Sequence, residues 1–304
     1  MAQFLLFALQ TFNPLEAMMR STLTTLMLVS TLAASAGAHA FIIDGDLSDW
    51  GIQKNMGAAG WIPAEGIQYT IEDQHASFLN PGYGGQAYDA EAIYATIAKD
   101  TMDNQWKLFI ALATGHNPAT KNNPGANSFG AGDFAIDFGK NGSFDLGINF
   151  RHTLANGQLE AFGKDDGVGV NGMGGVYDNP QWAFGLWDSA GAYAPGNPDP
   201  ANPTNLTGGD FLGMAKMSYT TIGQTGYGQW ANDTHYFYEM SVGLDLLTQA
   251  GWDGKPFNIH WTQNCANDSI LVDPPTAQIP EPATLALLPL GLVGIAFLRR
   301  RQSA

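Results

Sequence analysis

The sequence has few basic residues and a single cysteine. Its 304 residues include 13 Lys and Arg against 28 Asp and Glu, a formal charge of -15. Proteins that bind the phosphate backbone of nucleic acids need a basic stripe, so this composition argues against nucleic-acid binding. Cys265 has no intrachain partner for a disulfide, so stability must come from the core or from bound ions.

The common motifs of catalysis and zinc binding are also absent from the sequence. It contains no Gly-x-Ser-x-Gly, no P-loop and no His-Glu-x-x-His, and its histidines have no chelating spacing. Cys265 follows a predicted strand, where a core position is expected. Asp89 and Glu91 share one face of a predicted strand; glycoside hydrolysis, ion binding and a plain strand surface are the open alternatives. We expect a protein that is not an enzyme.

The N-terminal 40 residues are typical of an export signal. Arg20 precedes an apolar run over 23–34, and Ala38-His39-Ala40 has the small residues of a signal-peptidase site. We predict a signal peptide ending at Ala40, with Met18 or Met19 as the true start. An N-terminal membrane anchor is the alternative.

The C-terminal residues 279–304 have a three-part order. Pro280-Glu281-Pro282 precedes an apolar run of about 16 residues, and Arg299-Arg300-Arg301 follows it. Such a run is a marginal transmembrane helix whose basic end stays in the cytoplasm. The order resembles the PEP-CTERM sorting signal of exosortase-dependent proteins in Gram-negative bacteria. The resemblance implies transient anchoring in the inner membrane, processing near Pro280-Glu281-Pro282 by an exosortase-type enzyme, and release to the surface or extracellular matrix; a permanent anchor is the alternative.

The segment between these ends, 41–278, is more acidic than the whole chain. This segment contains 26 acidic and 9 basic residues, a charge near -17. The two terminal segments hold the other charged residues, which are Glu16, Arg20, Glu281, Arg299, Arg300 and Arg301. Carboxylate oxygens suit calcium, which an exported domain meets outside the cell. We therefore consider Ca²⁺ as a bound ion.

Alternating apolar residues predict that 41–278 is an all-β domain. The pattern runs through 91–99, 105–113, 236–242 and 257–261, and 243–251 reads as one short helix closed by Gly251. Short strands with Gly, Asn and Pro turns favour an antiparallel β-sandwich of jelly-roll-like or DOMON-like type.

Residues 133–150 predict a hairpin with a defined register. Apolar residues face each other only if Phe138 lies opposite Phe144, which leaves the loop 140–142 with Gly142 in the left-handed conformation. The same register places Asp137 opposite Asp145 on the outer face. Opposed like charges are unfavourable, so the outer face either binds a cation or is fully solvated.

The register also places Asp133 opposite Asn149, and a second acidic group opens the domain. Asp44, Asp46 and Asp49 could wrap a calcium ion, with Asn267 or Asp268 nearby; simple Asx turns are the alternative.

Three segments resemble family 9 carbohydrate-binding modules and related DOMON sandwiches. They are Ile-Asp-Gly-Asp-Leu-Ser-Asp-Trp at 43–50, the segment 235–247, and 260–270 with Asn267-Asp268. The resemblance implies a β-sandwich that binds sugars. It leaves the middle of the domain unmatched, so it assigns no ligand residue.

Residues 163–210 form a Gly- and Pro-rich insertion with several aromatic residues. Tyr177, Trp182 and Trp187 could stack on sugar rings, or they could pack into the sandwich. The sequence thus predicts an exported, non-catalytic module that binds exopolysaccharide. A calcium-stabilised structural matrix protein and a polysaccharide-acting hydrolase are the alternatives.

Overall fold

The computed structural model describes residues 40–74, 79–120, 122–150, 174–220 and 222–274. Within these ranges the chain forms eleven strands and one short α-helix, with bounds as follows. The strands are β1 (Gln68–Ile71), β2 (Ala90–Lys99), β3 (Trp106–Thr114), β4 (Phe134–Phe138), β5 (Leu146–Ile148), β6 (Gly175–Phe184), β7 (Pro203–Met214), β8 (Lys216–Tyr219), β9 (Tyr236–Gly243), β10 (Phe257–Thr262) and β11 (Ser269–Val272), and the helix is α1 (Leu244–Gln249).

The strands form two antiparallel sheets. One sheet has the order β1-β2-β3-β9-β8 and the other has the order β11-β10-β4-β5-β6-β7. Alternation in the sequence predicted β2, β3, β9 and β10, and the predicted helix is α1. The all-β sandwich is confirmed. The predicted signal peptide and C-terminal transmembrane helix fall outside the described residues, and no helix in the described ranges is long and apolar enough to cross a membrane.

The main core lies between the two sheets. Leu108, Ile110 and Leu112 of β3 enter it, as the alternating pattern predicts, and Ile136 and Trp261 meet them from the other sheet. All five side chains are fully buried. Burial on this scale is the main stabilising contribution in a domain without disulfides.

A second core covers the outer face of the five-stranded sheet. Tyr94 of β2 and Phe109 of β3 point away from the main core and are buried beneath Trp50 and Trp61. These two tryptophans belong to the segment 41–67, which precedes β1. Alternation predicts one apolar face per strand, but here both faces are buried because this segment packs across the sheet.

A buried carboxylate anchors this N-terminal segment. Glu239 of β9 accepts hydrogen bonds from the backbone N–H groups of Asp44 and Gly45, at 3.1 and 2.6 Å, and from the indole Nε1 of Trp50 at 2.7 Å. Burial raises the pKa of Glu239 to about 7. The Asp-Gly-Asp-x-x-x-Trp pattern therefore docks the segment on β9.

The predicted hairpin register is confirmed. Phe134 pairs with Ile148 and Ile136 pairs with Leu146, the register that places Phe138 opposite Phe144. Gly142 has a left-handed φ of 83°. The second strand is shorter than expected, because the Asp145 carboxylate accepts a hydrogen bond from Phe138 N at 2.7 Å.

The outer face of this hairpin is covered by other parts of the chain. The alternative of a fully solvated outer face is therefore wrong. Asp133 and Asp137 are each 2% exposed, and Asn149 is fully buried. Leu206 of β7 lies on Gly147, where a Cβ would collide with it, and Leu206 N donates to Asp133 Oδ2 at 2.9 Å. The first part of β7 therefore lies over β4 and β5, on the outer face of the sheet to which β6 and β7 belong.

The Gly- and Pro-rich insertion forms this β6–β7 hairpin from residue 174 onward, rather than one long loop. Register shifts interrupt the pairing of β6 with β7 after Val176, around Asp178 and near Ala183. These irregularities hide the alternating pattern in the sequence and bend the hairpin.

Candidate functional site

Three aromatic side chains form an exposed group, here named the aromatic surface. The ring of Trp187 lies 5.7 Å from that of Tyr83 and 5.8 Å from that of Tyr193, measured between centroids. Tyr83 is 70% and Tyr193 66% exposed, and Trp187 is half-buried. The aromatic surface thus exposes flat apolar ring faces to solvent, with the two tyrosine hydroxyl groups at the ring edges.

The chain after β6 fixes Trp187 through backbone and side-chain hydrogen bonds. Leu186 N donates to Cys265 O at 3.0 Å, and Trp187 pairs with Tyr193 across a short bridge. The indole Nε1 of Trp187 donates to Asn267 Oδ1 at 2.8 Å. The position of the ring is therefore set by the fold.

Tyr83 reaches the same place from a distant part of the sequence. Gly82 N donates to Asn267 O at 2.9 Å, and Pro81 bridges to Asp268. A Cβ at Gly82 would lie 2.5 Å from the Trp187 ring, so the close approach of Trp187 requires glycine there. Sequence reasoning missed Tyr83, because it lies in another segment from Trp187.

Sequence reasoning also missed Tyr193, although it lies in the predicted aromatic insertion. The other two predicted sugar-binding rings occupy different positions. Tyr177 is 1% exposed and packs with Leu206, so it is a core residue. Trp182 is half-buried, with its ring 6.2 Å from that of Phe144. Both rings hold the β6–β7 hairpin on the sheet.

Next to Asn267 begins a second group, here named the acidic cluster. It comprises Glu72, Asp89, Glu91 and Asp268, together with His235. His235 Nε2 and Glu91 Oε1 are hydrogen-bonded at 2.9 Å, and Asp268 Oδ2 accepts from Ala90 N at 2.6 Å. Asp89 and Asp268 are fully buried, and Glu91 and His235 are each 1% exposed.

Some carboxyl oxygens of the acidic cluster lack hydrogen-bond partners among the described residues. Among the residues that the structure describes, neither carboxyl oxygen of Asp89 has a hydrogen-bond partner, and the same holds for Oε2 of Glu91. Burial, with Glu91, Asp268 and Glu72 close by, raises the pKa of Asp89 to about 9. Burial also raises the pKa of Glu72 to about 7 and that of Asp268 well above its ordinary value. With a pKa of about 9, Asp89 holds a proton at neutral pH.

The carboxylates predicted to bind calcium accept backbone hydrogen bonds. Asp44 and Asp46 accept from N–H groups two residues ahead, at 2.9 Å each, so they form Asx turns. Asp49 Oδ2 accepts from Ile42 N at 2.7 Å.

The hairpin pair is bonded in a similar way. Asp137 accepts from Asn141 N and Gly142 N, at 2.9 and 2.7 Å. Asp145, whose pKa burial raises, accepts from Phe138 N. In the part of the chain that the structure describes, no group of three or more His, Cys, Asp or Glu side chains is arranged to hold a metal ion.

Asn267 and Asp268, which were predicted to lie near the Asp44 group, bond elsewhere. Asn267 holds the Trp187 indole, and Asp268 holds the first residue of β2. Cys265 is fully buried, and burial raises the pKa of its thiol to about 12. A thiol that stays protonated fits the predicted core role.

The predicted processing residues lie at or beyond the edge of the described chain. Ala40, the residue before the predicted signal-peptidase cut, is the first described residue and is exposed. Pro280, Glu281 and Pro282, with Arg299, Arg300 and Arg301, lie outside the described residues.

Comparison with known proteins identifies the C-terminal segment. The family model of the PEP-CTERM protein-sorting motif matches residues 278–301. No curated protein and no solved structure matches the chain. The PEP-CTERM motif indicates an exported surface protein that an exosortase processes in a membrane-associated sorting step.

Proposed function

We propose that the exported domain is a non-catalytic glycan-binding module and that the aromatic surface is its binding site. The observation that supports this most is the exposure of Tyr83 and Tyr193. They are the two most exposed aromatic side chains of the described residues, at 70% and 66%, and they flank Trp187. Exposed apolar groups that gather in one place are typical of interaction sites.

The chemistry of the three rings suits a sugar. The C–H groups on one face of a pyranose can stack on an aromatic ring, and the tyrosine hydroxyls can hydrogen-bond to sugar hydroxyls. The indole N–H of Trp187 is already bonded to Asn267, so this ring offers its face. Resemblance to family 9 carbohydrate-binding modules at 43–50, 235–247 and 260–270 agrees with this role, and a matrix exopolysaccharide is the proposed partner.

The absence of catalysis is part of the proposal. Glycoside hydrolysis by two carboxyl groups requires both to flank the scissile bond. Asp89 is fully buried and Glu91 is 1% exposed, so a polysaccharide has no access to this pair in the described structure. Burial of this kind favours a structural role for the pair.

Calcium stabilisation of a structural matrix protein is the second candidate. It is favoured by the unpartnered oxygens of Asp89 and Glu91 and by the surplus of 26 acidic over 9 basic residues in 41–278. A structural protein of this kind needs no exposed rings. Replacing the exposed rings should weaken glycan binding if the domain is a glycan-binding module, and this result therefore distinguishes the two candidate functions.

The test measures binding of the processed protein, recovered from the culture medium of producing cells, to a panel of soluble polysaccharides by affinity electrophoresis. Tyr83→Ala combined with Tyr193→Ala should weaken binding at least tenfold, about 1.4 kcal/mol. Tyr69→Ala is the matched control, since Tyr69 is an exposed tyrosine of β1 at 45%. No binding by the wild type, or equal binding by the double variant, would reject the proposal.

A further inference from the structure

The chain segments that build the aromatic surface contain no lysine or arginine. Tyr83 lies in the stretch 55–98, Trp187 and Tyr193 lie in 165–215, and Asn267 lies in 256–274. None of the three stretches has a Lys or Arg. They do contain acidic residues, of which Asp188 directly follows Trp187. The charge carried by these stretches is therefore negative.

The six lysines in the described part of the chain lie outside these three stretches, and three of them have acidic partners. Lys107 Nζ lies 2.6 Å from Asp100 and from Asp103. Lys99 ends β2, at the end of that strand away from Asp89, and pairs with Trp106.

Two further lysines are also engaged. Lys140 is paired with Asp273, and Lys255 is paired with Asp253, at 2.7 and 2.5 Å. In these ion pairs the lysine charge is neutralised by a carboxylate, so it is not free to attract an anionic ligand.

Asp188 is built into the loop that carries two of the rings. Its Oδ1 accepts hydrogen bonds from Ala190 N and Ala192 N, each at 2.9 Å. The carboxylate is half-buried and stays beside Trp187 because the loop depends on these bonds. A ligand that stacks on Trp187 comes within a Debye length of this charge, about 8 Å at physiological ionic strength.

We propose that the aromatic surface selects glycan segments without anionic groups and rejects uronate-rich or sulfated ones. This inference rests on the proposed glycan-binding function and specifies its ligand class. An uncharged glycan can stack on the three rings with no electrostatic cost. A polyuronate brings repeated negative charges to a surface built from stretches that carry acidic residues and no Lys or Arg, and juxtaposed like charges oppose association.

The experiment compares two polysaccharides with the same backbone. One is a polyuronate, and the other is the same polymer after reduction of its carboxyl groups to primary alcohols. The processed wild-type protein should bind the reduced polymer at least tenfold more tightly at 20 mM NaCl. The difference should shrink at 500 mM NaCl, because salt screens the repulsion.

Asp188→Asn gives the variant arm of the experiment. The asparagine carbonyl oxygen can still accept from Ala190 N and Ala192 N, so the loop is retained while one charge is lost. This variant should keep its affinity for the reduced polymer and narrow the difference between the two polymers. Asp103→Asn is the control, since Asp103 lies beside Lys107 at the far end of β3, and it should leave the difference unchanged.

The outcomes separate the inference from the proposed function. Equal or tighter binding of the polyuronate by the wild type would overturn the inference and leave glycan binding intact. Binding of neither these polymers nor any member of the wider panel would reject the proposed function itself. If Asp188→Asn prefers the reduced polymer over the polyuronate as strongly as the wild type does, the charge of Asp188 does not cause the preference. That result would overturn the role assigned to Asp188.

Discussion

Replacing Asp89 by asparagine should make the stability of this protein less dependent on pH. The carboxyl group is fully buried, neither of its oxygens has a hydrogen-bond partner in the described ranges, and burial raises its pKa from 3.8 to about 9. At pH 7 the folded state therefore holds a proton that the unfolded state has released. Stability contributed by this group is complete below pH 4 and is lost progressively as the pH rises toward 9.

The magnitude follows from the distance between the pH and the unfolded pKa. Each pH unit above 3.8 costs about 1.4 kcal/mol until the folded pKa is reached, so at pH 7 the loss is on the order of 4 kcal/mol. Asparagine has a similar shape and does not titrate. Asp89→Asn should thus equal the wild type near pH 4 and exceed it at pH 7, by roughly 10 °C in melting temperature for a domain of this size.

The measurement is thermal unfolding of the processed protein from pH 4 to pH 8.5 by circular dichroism, with EDTA present. Glu65→Gln removes one negative charge from an exposed position and serves as the control for net charge. Its profile should run parallel to that of the wild type. If the profile of Asp89→Asn is parallel as well, the acidic cluster does not take up the proton and the reasoning fails.

Four further expectations concern the Glu239 anchor, the bound ion and the two parts of the sorting signal. Glu239→Ala should destabilise the domain by about 3 kcal/mol in urea unfolding, because it leaves Trp50 Nε1 and two backbone N–H groups unpaired, whereas Glu239→Gln keeps an acceptor and should cost less. Calcium at about 100 times its Kd should add about 2.7 kcal/mol, and magnesium at equal ionic strength much less; equal shifts, or none, would reject a calcium site. Alanines in place of Pro280-Glu281-Pro282 should leave the protein unprocessed in the membrane fraction on immunoblots, and unchanged release into the medium would contradict this. Deleting the arginines at 299–301 should instead impair membrane orientation, as protease accessibility would show.

Features encoded by neighbouring residues were predictable from the sequence. Strands β2, β3, β9 and β10 follow from period-two alternation, since side chains of a strand point to opposite faces in turn. The register of the hairpin follows from the same rule, because a slip of one residue would turn its apolar side chains outward. The sorting motif at 278–301 was also readable, since its three parts are contiguous.

The coverings of the two sheets depend on contacts between distant segments. Alternation shows which side of a strand is apolar, but it does not show what packs on the other side. The docking of 41–67 on β9 through Glu239, and the return of β7 over Gly147, depend on how whole segments pass across a sheet. For that reason the sequence left a bound cation or full solvation as the alternatives for the hairpin's outer face, and the structure shows Asp133, Asp137 and Asn149 buried there.

The candidate sites also required the tertiary structure. Tyr83 and Trp187 are separated by about a hundred residues, and the pairing of 80–82 with 267–269 brings them together. The acidic cluster likewise collects five residues from four parts of the chain, and the sequence did not show that these parts meet. Composition and motif determined that the protein is acidic, β-rich and exported, because those properties are local or additive. The packing of segments that are far apart along the chain decided which aromatic rings are exposed to solvent and which carboxyl groups are buried.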